Sequence, residues 1–353
     1  MRNLLNEYKH LSRALQNKDE LRVSDAFEIY LTLRKVALYY PSRKIQHLFC
    51  LAKRLVYSLI ADKAIMFRNG NDSDITTGNG EGSSMRTSVR AIWPGGEDES
   101  RVYRFHGNAR DFYDGLLRAW LEGGKCSETM FQVLQFTVRL LTHRALRETP
   151  DHFIYLRDFN GRGEELEDDT VVIYQSMCYL PGLLRFVGSD LEKESATLEV
   201  EEFADSIAET CLKMYDNAEN GLAGEAMEQT EHGWLMHGAF NLRSDLAKML
   251  FQLWRFTGEE RYREAAWQLF VKIDTQCRME NGGYAPLKQL ENKTYVVDVE
   301  NKVPDWYIAS TIKYVYLTLA DNTTLPLEEW SINERGNSMR IVPEFPEENR
   351  CGR

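Results

Sequence analysis

Apolar residues that return every three or four positions, in one segment after another, constrain this chain more than any other feature. They do so at Tyr8, Leu11 and Leu15, and again at Ala26, Phe27, Tyr30, Leu31, Leu33 and Val36. A third run covers residues 43 to 60. Each pattern marks one buried face of a helix. From 67 to 103 it stops, and Gly, Ser, Asn, Asp and Thr dominate, as in a long loop or the scar of a lost element. It resumes from Asp111 to Trp120, where Gly123 and Gly124 stop the helix, and the next helix is predicted from Ser127 to Leu146. Alternating residues at 153–156 and 171–174 predict one short hairpin, an insertion and not a sheet core. Further helices are predicted near 175–186, 201–215, 243–257, 261–279 and 306–320, about ten in all. Short polar connectors make neighbours antiparallel, and a curved row of such pairs closes into a ring. The expected fold class is therefore all-α, an (α/α) barrel, with an open solenoid as the alternative. One domain is expected over residues 1–333, with a polar loop at about 67–105 and a tail at 334–353.

Hydrophobic residues make up 43% of the chain, enough for a sizeable core. The net charge of −11 argues against nucleic acid or an anionic membrane as partner and suits a neutral or cationic ligand. No run approaches the eighteen apolar residues of a membrane span. The start, Met1 to Glu7, has no signal-peptide core, so the protein is expected to be cytosolic or to have its targeting segment outside this chain. The six cysteines show no CxxC spacing, which makes buried thiols the plain reading. Asn71, Asn292 and Asn322 begin glycosylation sequons.

Periodicity alone ends at an all-helical domain. Several strings carry the reading further: FYDGLLRAW at 112–120, CYLPG at 178–182, TCLKMY at 210–215, GLAGE at 221–225, NLRSD at 241–245, LWRFTG at 253–258, GGY at 282–284 and TIKYVYL at 311–317. In order and spacing over residues 106–333 they resemble the class I α-1,2-mannosidases, glycoside hydrolase family 47. That family also includes mannosidase-like proteins that promote disposal of misfolded glycoproteins from the endoplasmic reticulum. The resemblance implies an (α/α) barrel of seven helix pairs, a lumenal location in the secretory pathway, and removal of α-1,2-linked mannose from N-glycans with inversion and a bound calcium ion. High-mannose N-glycans or glycoproteins, and folding or degradation machinery, are the partners it implies. It also implies a disulfide between Cys178 and Cys211, which needs an oxidising compartment.

An inverting glycosidase needs a carboxylic acid for the leaving oxygen and a carboxylate to activate water. Along the resemblance, Glu28 in Phe27-Glu28 is an acid candidate, although the family's arginine four residues later is Thr32 here. Arg110 stands where the family has a second carboxylate, before its Ser-Phe-Tyr-Glu string; Asp111 substitutes after a shift of one. The family's Leu-Arg-Pro-Glu supplies the base, and here Asp245 in Leu242-Arg243-Ser244-Asp245 is one methylene shorter. Three residues on, Lys248 replaces a glutamate. Pro304-Asp305-Trp306 replaces Glu-Ser-Phe, and Glu334, beside Arg335, is the counterpart of the calcium-binding threonine. Glu225, Arg243, Trp306 and Tyr307 are the sugar-contact candidates. A family helix pair is missing where residues 69–99 stand, one hairpin short of the ring.

The eroded pattern points first to a pseudoenzyme that keeps a glycan- or partner-binding surface with weak or no hydrolysis. The alternative is an active, calcium-dependent inverting α-1,2-mannosidase using Glu28, Asp111 or Asp114, Glu225 and Asp245, with calcium on Glu334. Trp254, Trp267 and Tyr314 are expected in the core. His232 and His237 lack a metal spacing and are expected in a loop or packing role.

Overall fold

A computed structural model describes residues 23–39, 43–63, 65–67, 88–90, 104–107, 109–159, 165–166, 170–191, 194–280, 282–289, 295–298, 304, 306–333 and 335–342. Five helices form an inner ring: α1 (Val23–Tyr39), α3 (Ala109–Glu122), α5 (Leu180–Gly188), α7 (Asp245–Thr257) and α9 (Lys313–Leu319). Four stand outside them: α2 (Arg43–Lys63), α4 (Glu128–Leu140), α6 (Glu194–Asn217) and α8 (Glu260–Gln276). Each outer helix packs on the inner helix before it, and α1 meets α3, α5 meets α7 and α7 meets α9. A 3₁₀ turn, Gln175–Tyr179, leads into α5 and joins it to α3.

The two rings differ in sequence for a physical reason. Inner helices are covered on every side, so α3 is buried continuously from Phe112 to Glu122. Outer helix α8 buries a single stripe of Tyr262, Ala266, Leu269 and Ile273. Inner helices also approach closely: a Cβ on Gly115 would overlap the Phe27 ring, and one on Gly182 the Gln252 amide. Ser127 caps α4 by accepting from the Met130 N–H at 3.4 Å. Gly258, at φ 69°, ends α7 in the left-handed conformation that a glycine adopts without strain.

Antiparallel strand pairs decorate the helix ends. They are β1 (Ile65–Phe67) with β2 (Ser88–Arg90), β3 (Leu146–Glu148) with β4 (Ile154–Leu156), and β8 (Leu287–Gln289) with β9 (Tyr295–Val297). A three-stranded sheet joins β5 (Val172–Tyr174), β6 (Ala226–Thr230) and β7 (Gly233–His237). The last pair, β10 (Trp330–Ile332) with β11 (Ser338–Arg340), bridges the ring from α9 back to α1. Tyr314 Oη donates to the carbonyls of Ile332 at 3.0 Å and Asn333 at 2.8 Å. Ser331 meets Glu122 at 2.9 Å, and Asn333 Nδ2 donates to Glu28 at 3.0 Å. These bonds tie α9 to α3 and α1, so the row of pairs is a ring and not an open solenoid.

Three expectations change. The segment at 153–156 pairs not with 171–174 but with β3, because the short turn between them closes locally: Thr149 Oγ1 accepts from the Phe153 N–H at 3.0 Å. The 171–174 segment pairs instead with β6. The helix expected to reach Leu146 yields to a π-helical turn, Leu141–Ala145, and an extended Leu146. Trp267 lies 49% exposed on the outward face of α8, while Tyr314 is buried as expected. The first predicted helix and the tail beyond 342 lie outside the described residues, as does most of the polar stretch. Among the described residues, none between α2 and α3 is helical. The expected disulfide is present, joining Cys178 in the 3₁₀ turn to Cys211 on α6 with Cα atoms 6.0 Å apart. Cys277 is a buried thiol, and burial pushes it up to about 12.

Candidate active site

Inner helices run in one sense, so their N-terminal ends gather at one mouth of the ring. Asp111 lies in the first turn of α3, and Asp245 is the first residue of α7. Tyr307 opens the π-helical turn Tyr307–Ile312 that precedes α9. Free N–H groups at such ends favour carboxylates. The loop into α7 is held in a strained shape: Leu242 is fully buried at φ 52°, and its carbonyl accepts from Thr311 Oγ1 at 2.7 Å. That turn places Arg243 on the rim and Asp245 inside.

A single guanidinium joins the two acids at the mouth. Arg110 Nη1 donates to Asp245 Oδ1 at 2.6 Å, and its Nη2 and Nε lie 3.3 and 3.4 Å from Asp111 Oδ1. The Asp245 side chain is 4% exposed and that of Asp111 27%. Burial holds the Asp111 carboxyl above its ordinary range, with Arg110 opposing. One turn deeper, Lys248 on α7 pairs with Asp114 on α3, both buried. With α5 between them in the ring, α3 and α7 are thus linked across the axis by two cation–carboxylate pairs. A void beside this pair, lined by Asp114, Arg118, Lys248, Gln252 and Tyr314 among others, measures about 20 Å³, room for a water molecule.

Glu28 belongs to a separate, deeper cluster. Its carboxylate pairs with Arg118 and accepts from Asn333 Nδ2. Arg118 also meets Glu122 at 3.3 Å, and Lys35 lies 3.6 Å from the other Glu122 oxygen. Arg118 follows Asp111 by seven residues, about 10 Å along the helix, so Glu28 is not brought together with Asp111 and Asp245. Arg118 of the neighbouring helix supplies a cation beside Glu28. No pattern local to α1 could have signalled that partner.

On the rim, Glu225 accepts from Asn241 Nδ2 at 2.9 Å and Arg243 Nη2 at 3.1 Å, and both side chains of that ion pair are well exposed. Trp306 is 44% exposed. Tyr307 is buried against Tyr284, with ring centroids 5.1 Å apart. Sequence reasoning missed a second rim group: His106 stacks on the exposed Tyr174 at 3.9 Å and meets Asp158 at 3.2 Å. Neither residue stands in a recognisable string. His237 pairs with Glu228 across the β6–β7 hairpin, and His232 is exposed in its turn.

Glu334 and Asp305 lie outside the described residues. Among their described neighbours, Lys313 Nζ donates to the Gly336 carbonyl at 2.6 Å and to Ser338 Oγ at 2.7 Å, so an ammonium already uses two of the oxygens near Glu334 in sequence. Among the described residues no cluster of three His, Cys, Asp or Glu side chains could hold a metal. No described helix is long and apolar enough to cross a membrane.

Comparison with known proteins agrees with this architecture. The profile of glycosyl hydrolase family 47 matches residues 58–341. A mannosyl-oligosaccharide 1,2-alpha-mannosidase of Arabidopsis thaliana is 29% identical over 239 residues, 65% of this chain and 40% of its own. The endoplasmic reticulum mannosyl-oligosaccharide 1,2-alpha-mannosidase of Rattus norvegicus is 26% identical over 239 residues, 64% of this chain and 34% of its own. The chain thus spans well under half the length of these relatives. Among solved structures, the alpha-1,2-mannosidase of Trichoderma reesei superposes with a TM-score of 0.65 over 91% of this chain and 66% of its own, at 12% identity. The family's match over most of the sequence and the helical ring lead to one assignment: the chain belongs to glycosyl hydrolase family 47.

Proposed function

We infer that this protein is a mannosidase-like member of its family that recognises high-mannose N-glycans on glycoproteins in a secretory compartment, within glycan processing or quality control, with weak or no hydrolysis. One observation carries this reading: the Arg110 guanidinium bridges Asp111 and Asp245. Inversion needs two carboxyl groups with a water between them, roughly 6.5–9.5 Å apart. Here a cation occupies the space between the acids and neutralises the candidate base. At both levels, a position that holds a carboxylate in the family holds a cation here, Arg110 above and Lys248 below. The void below the Lys248–Asp114 pair, about 20 Å³, has room for a water and not for a pyranose ring. Binding is left to the rim, where Glu225, Arg243 and Trp306 offer hydrogen-bonding groups and an aromatic face. Incubation with a high-mannose N-glycan, with and without added calcium, tests this by measuring binding and mannose release together. Binding without release is expected, and robust release contradicts it.

A second reading has one observation of its own. Burial raises the Asp111 carboxyl, as a general acid requires, and that group is reachable from the mouth. In an active, calcium-dependent inverting α-1,2-mannosidase, Arg110 would swing out on substrate binding and release Asp245 as the base. Turnover unchanged by Asp245→Ala would end this assignment.

A further inference from the structure

A groove of about 440 Å³ lies away from the axis, and neither reading above uses it. Glu219 and Asn220, just past the end of α6, form one wall, and Gln276, the last residue of α8, forms another. Leu287 of β8 with Tyr295, Val296 and Val297 of β9 complete it. Outer helices run opposite to inner ones, so the groove opens on the same end of the molecule as the mouth. Leu287 exchanges main-chain hydrogen bonds of 2.9 and 3.0 Å with Phe240, three residues before Arg243. The groove and the rim are therefore linked through one rigid strand contact.

Its volume falls within the range of small-molecule sites. Two buried polar atoms beside it, Asn220 Nδ2 and Tyr295 Oη, have no hydrogen-bond partner among the described residues. Buried donors are almost always satisfied, so these two are unmet demands at the groove wall, reached by a ligand when their side chains turn toward it. The rest of the Asn220 side chain is fixed, since its Oδ1 accepts from the Leu222 N–H at 3.0 Å and leaves the amide nitrogen free to donate. Burial, and Glu219 nearby, raise the Tyr295 phenol, which keeps its proton and donates. Glu219 is the groove's one charged lining residue among those described, which disfavours an anion. A ligand that fits has several hydroxyls, no negative charge, and a face apolar enough to lie on Val296 and Val297.

We propose that this groove is a second carbohydrate subsite, binding a neutral pyranoside through Asn220 and Tyr295 over an aliphatic floor. It extends the glycan-binding reading, on which the choice of mannosides as probes rests, and it is separable from the mouth. Saturation-transfer difference NMR with methyl α-D-mannopyranoside and with an α-1,2-linked mannobiose tests it on the wild type, Tyr295→Phe, Arg243→Ala, and Arg243→Ala combined with Val296→Glu. The wild type is expected to transfer saturation to the ring protons of both probes. Tyr295→Phe should weaken apparent affinity by about three- to tenfold, as loss of one hydrogen bond does. Arg243→Ala removes the rim's share of the signal, and adding Val296→Glu to it should abolish the share that remains. Thermal melting of each variant checks that the fold is kept. No signal in the wild type overturns the subsite, whatever the mouth does with a larger glycan. A signal lost in Arg243→Ala and kept in Tyr295→Phe also overturns it, because the sugar then sits on the rim.

Discussion

The mouth cluster and the deep cluster are built from the same parts, carboxylates held by guanidinium and ammonium groups, yet they differ in what surrounds them. Around Arg118 the acids Glu28 and Glu122 meet two cations, Ser331 and Asn333, and the Glu122 side chain is wholly buried. The β10–β11 hairpin seals that end. At the mouth, Arg110 and Asp111 keep partial access to water, and the Glu225–Arg243 pair is open to it. Arg118 and Glu122 are shut off from water and Arg110 and Asp111 are not, although Glu28 at 24% and Asp245 at 4% exposure fall on the other side of that division.

The comparison breaks most visibly under Arg118→Met. That change leaves the wholly buried Glu122 with Lys35 as its one remaining cation and removes the cation from Glu28, and is expected to lower the unfolding free energy by about 3–5 kcal/mol in chemical denaturation. Arg110→Met should cost less, about 1–3 kcal/mol, because Asp111 keeps access to water and only Asp245 is left buried. Equal losses for the two variants would erase the distinction between the clusters. Arg243→Ala should sit below both, at roughly 1 kcal/mol or less for an exposed pair, while weakening high-mannose glycan binding about tenfold in calorimetry.

The smallest effect belongs to Asp111→Asn, and it has a sign. A carboxyl whose folded value lies above its unfolded one contributes stability below the unfolded value, and that contribution fades as pH rises through the folded value. Asparagine carries no such dependence. Relative to wild type, Asp111→Asn should therefore gain stability as pH is raised above about 4, measured as unfolding free energy across a pH series. A gain on acidification would mean that Arg110, and not burial, governs that group.

Much of the fold was legible because its determinants are local. Periodicity located most of the helices, and the stop signal Gly123-Gly124 falls where α3 ends. The Cys178–Cys211 bridge followed from the family strings, since spacing alone left thiols as the plain reading. What failed was tertiary. The strand at 153–156 carries no mark of its partner, and Trp267 looks apolar whether it faces in or out. The site divides the same way. Asp111 and Asp245 were found from strings and do meet, but their meeting through Arg110 depends on helices 135 residues apart. Glu28 was read beside them, and a contact with Arg118, 90 residues away, holds it elsewhere.

The central claim is that cations at the catalytic positions leave a barrel that holds glycan without cutting it. It is tested most directly by presenting the purified protein with a high-mannose N-glycan in the presence of calcium, while bound glycan and free mannose are followed in the same sample. The account predicts saturable binding with no mannose above the protein-free control. Mannose release that disappears in Asp245→Ala would contradict it.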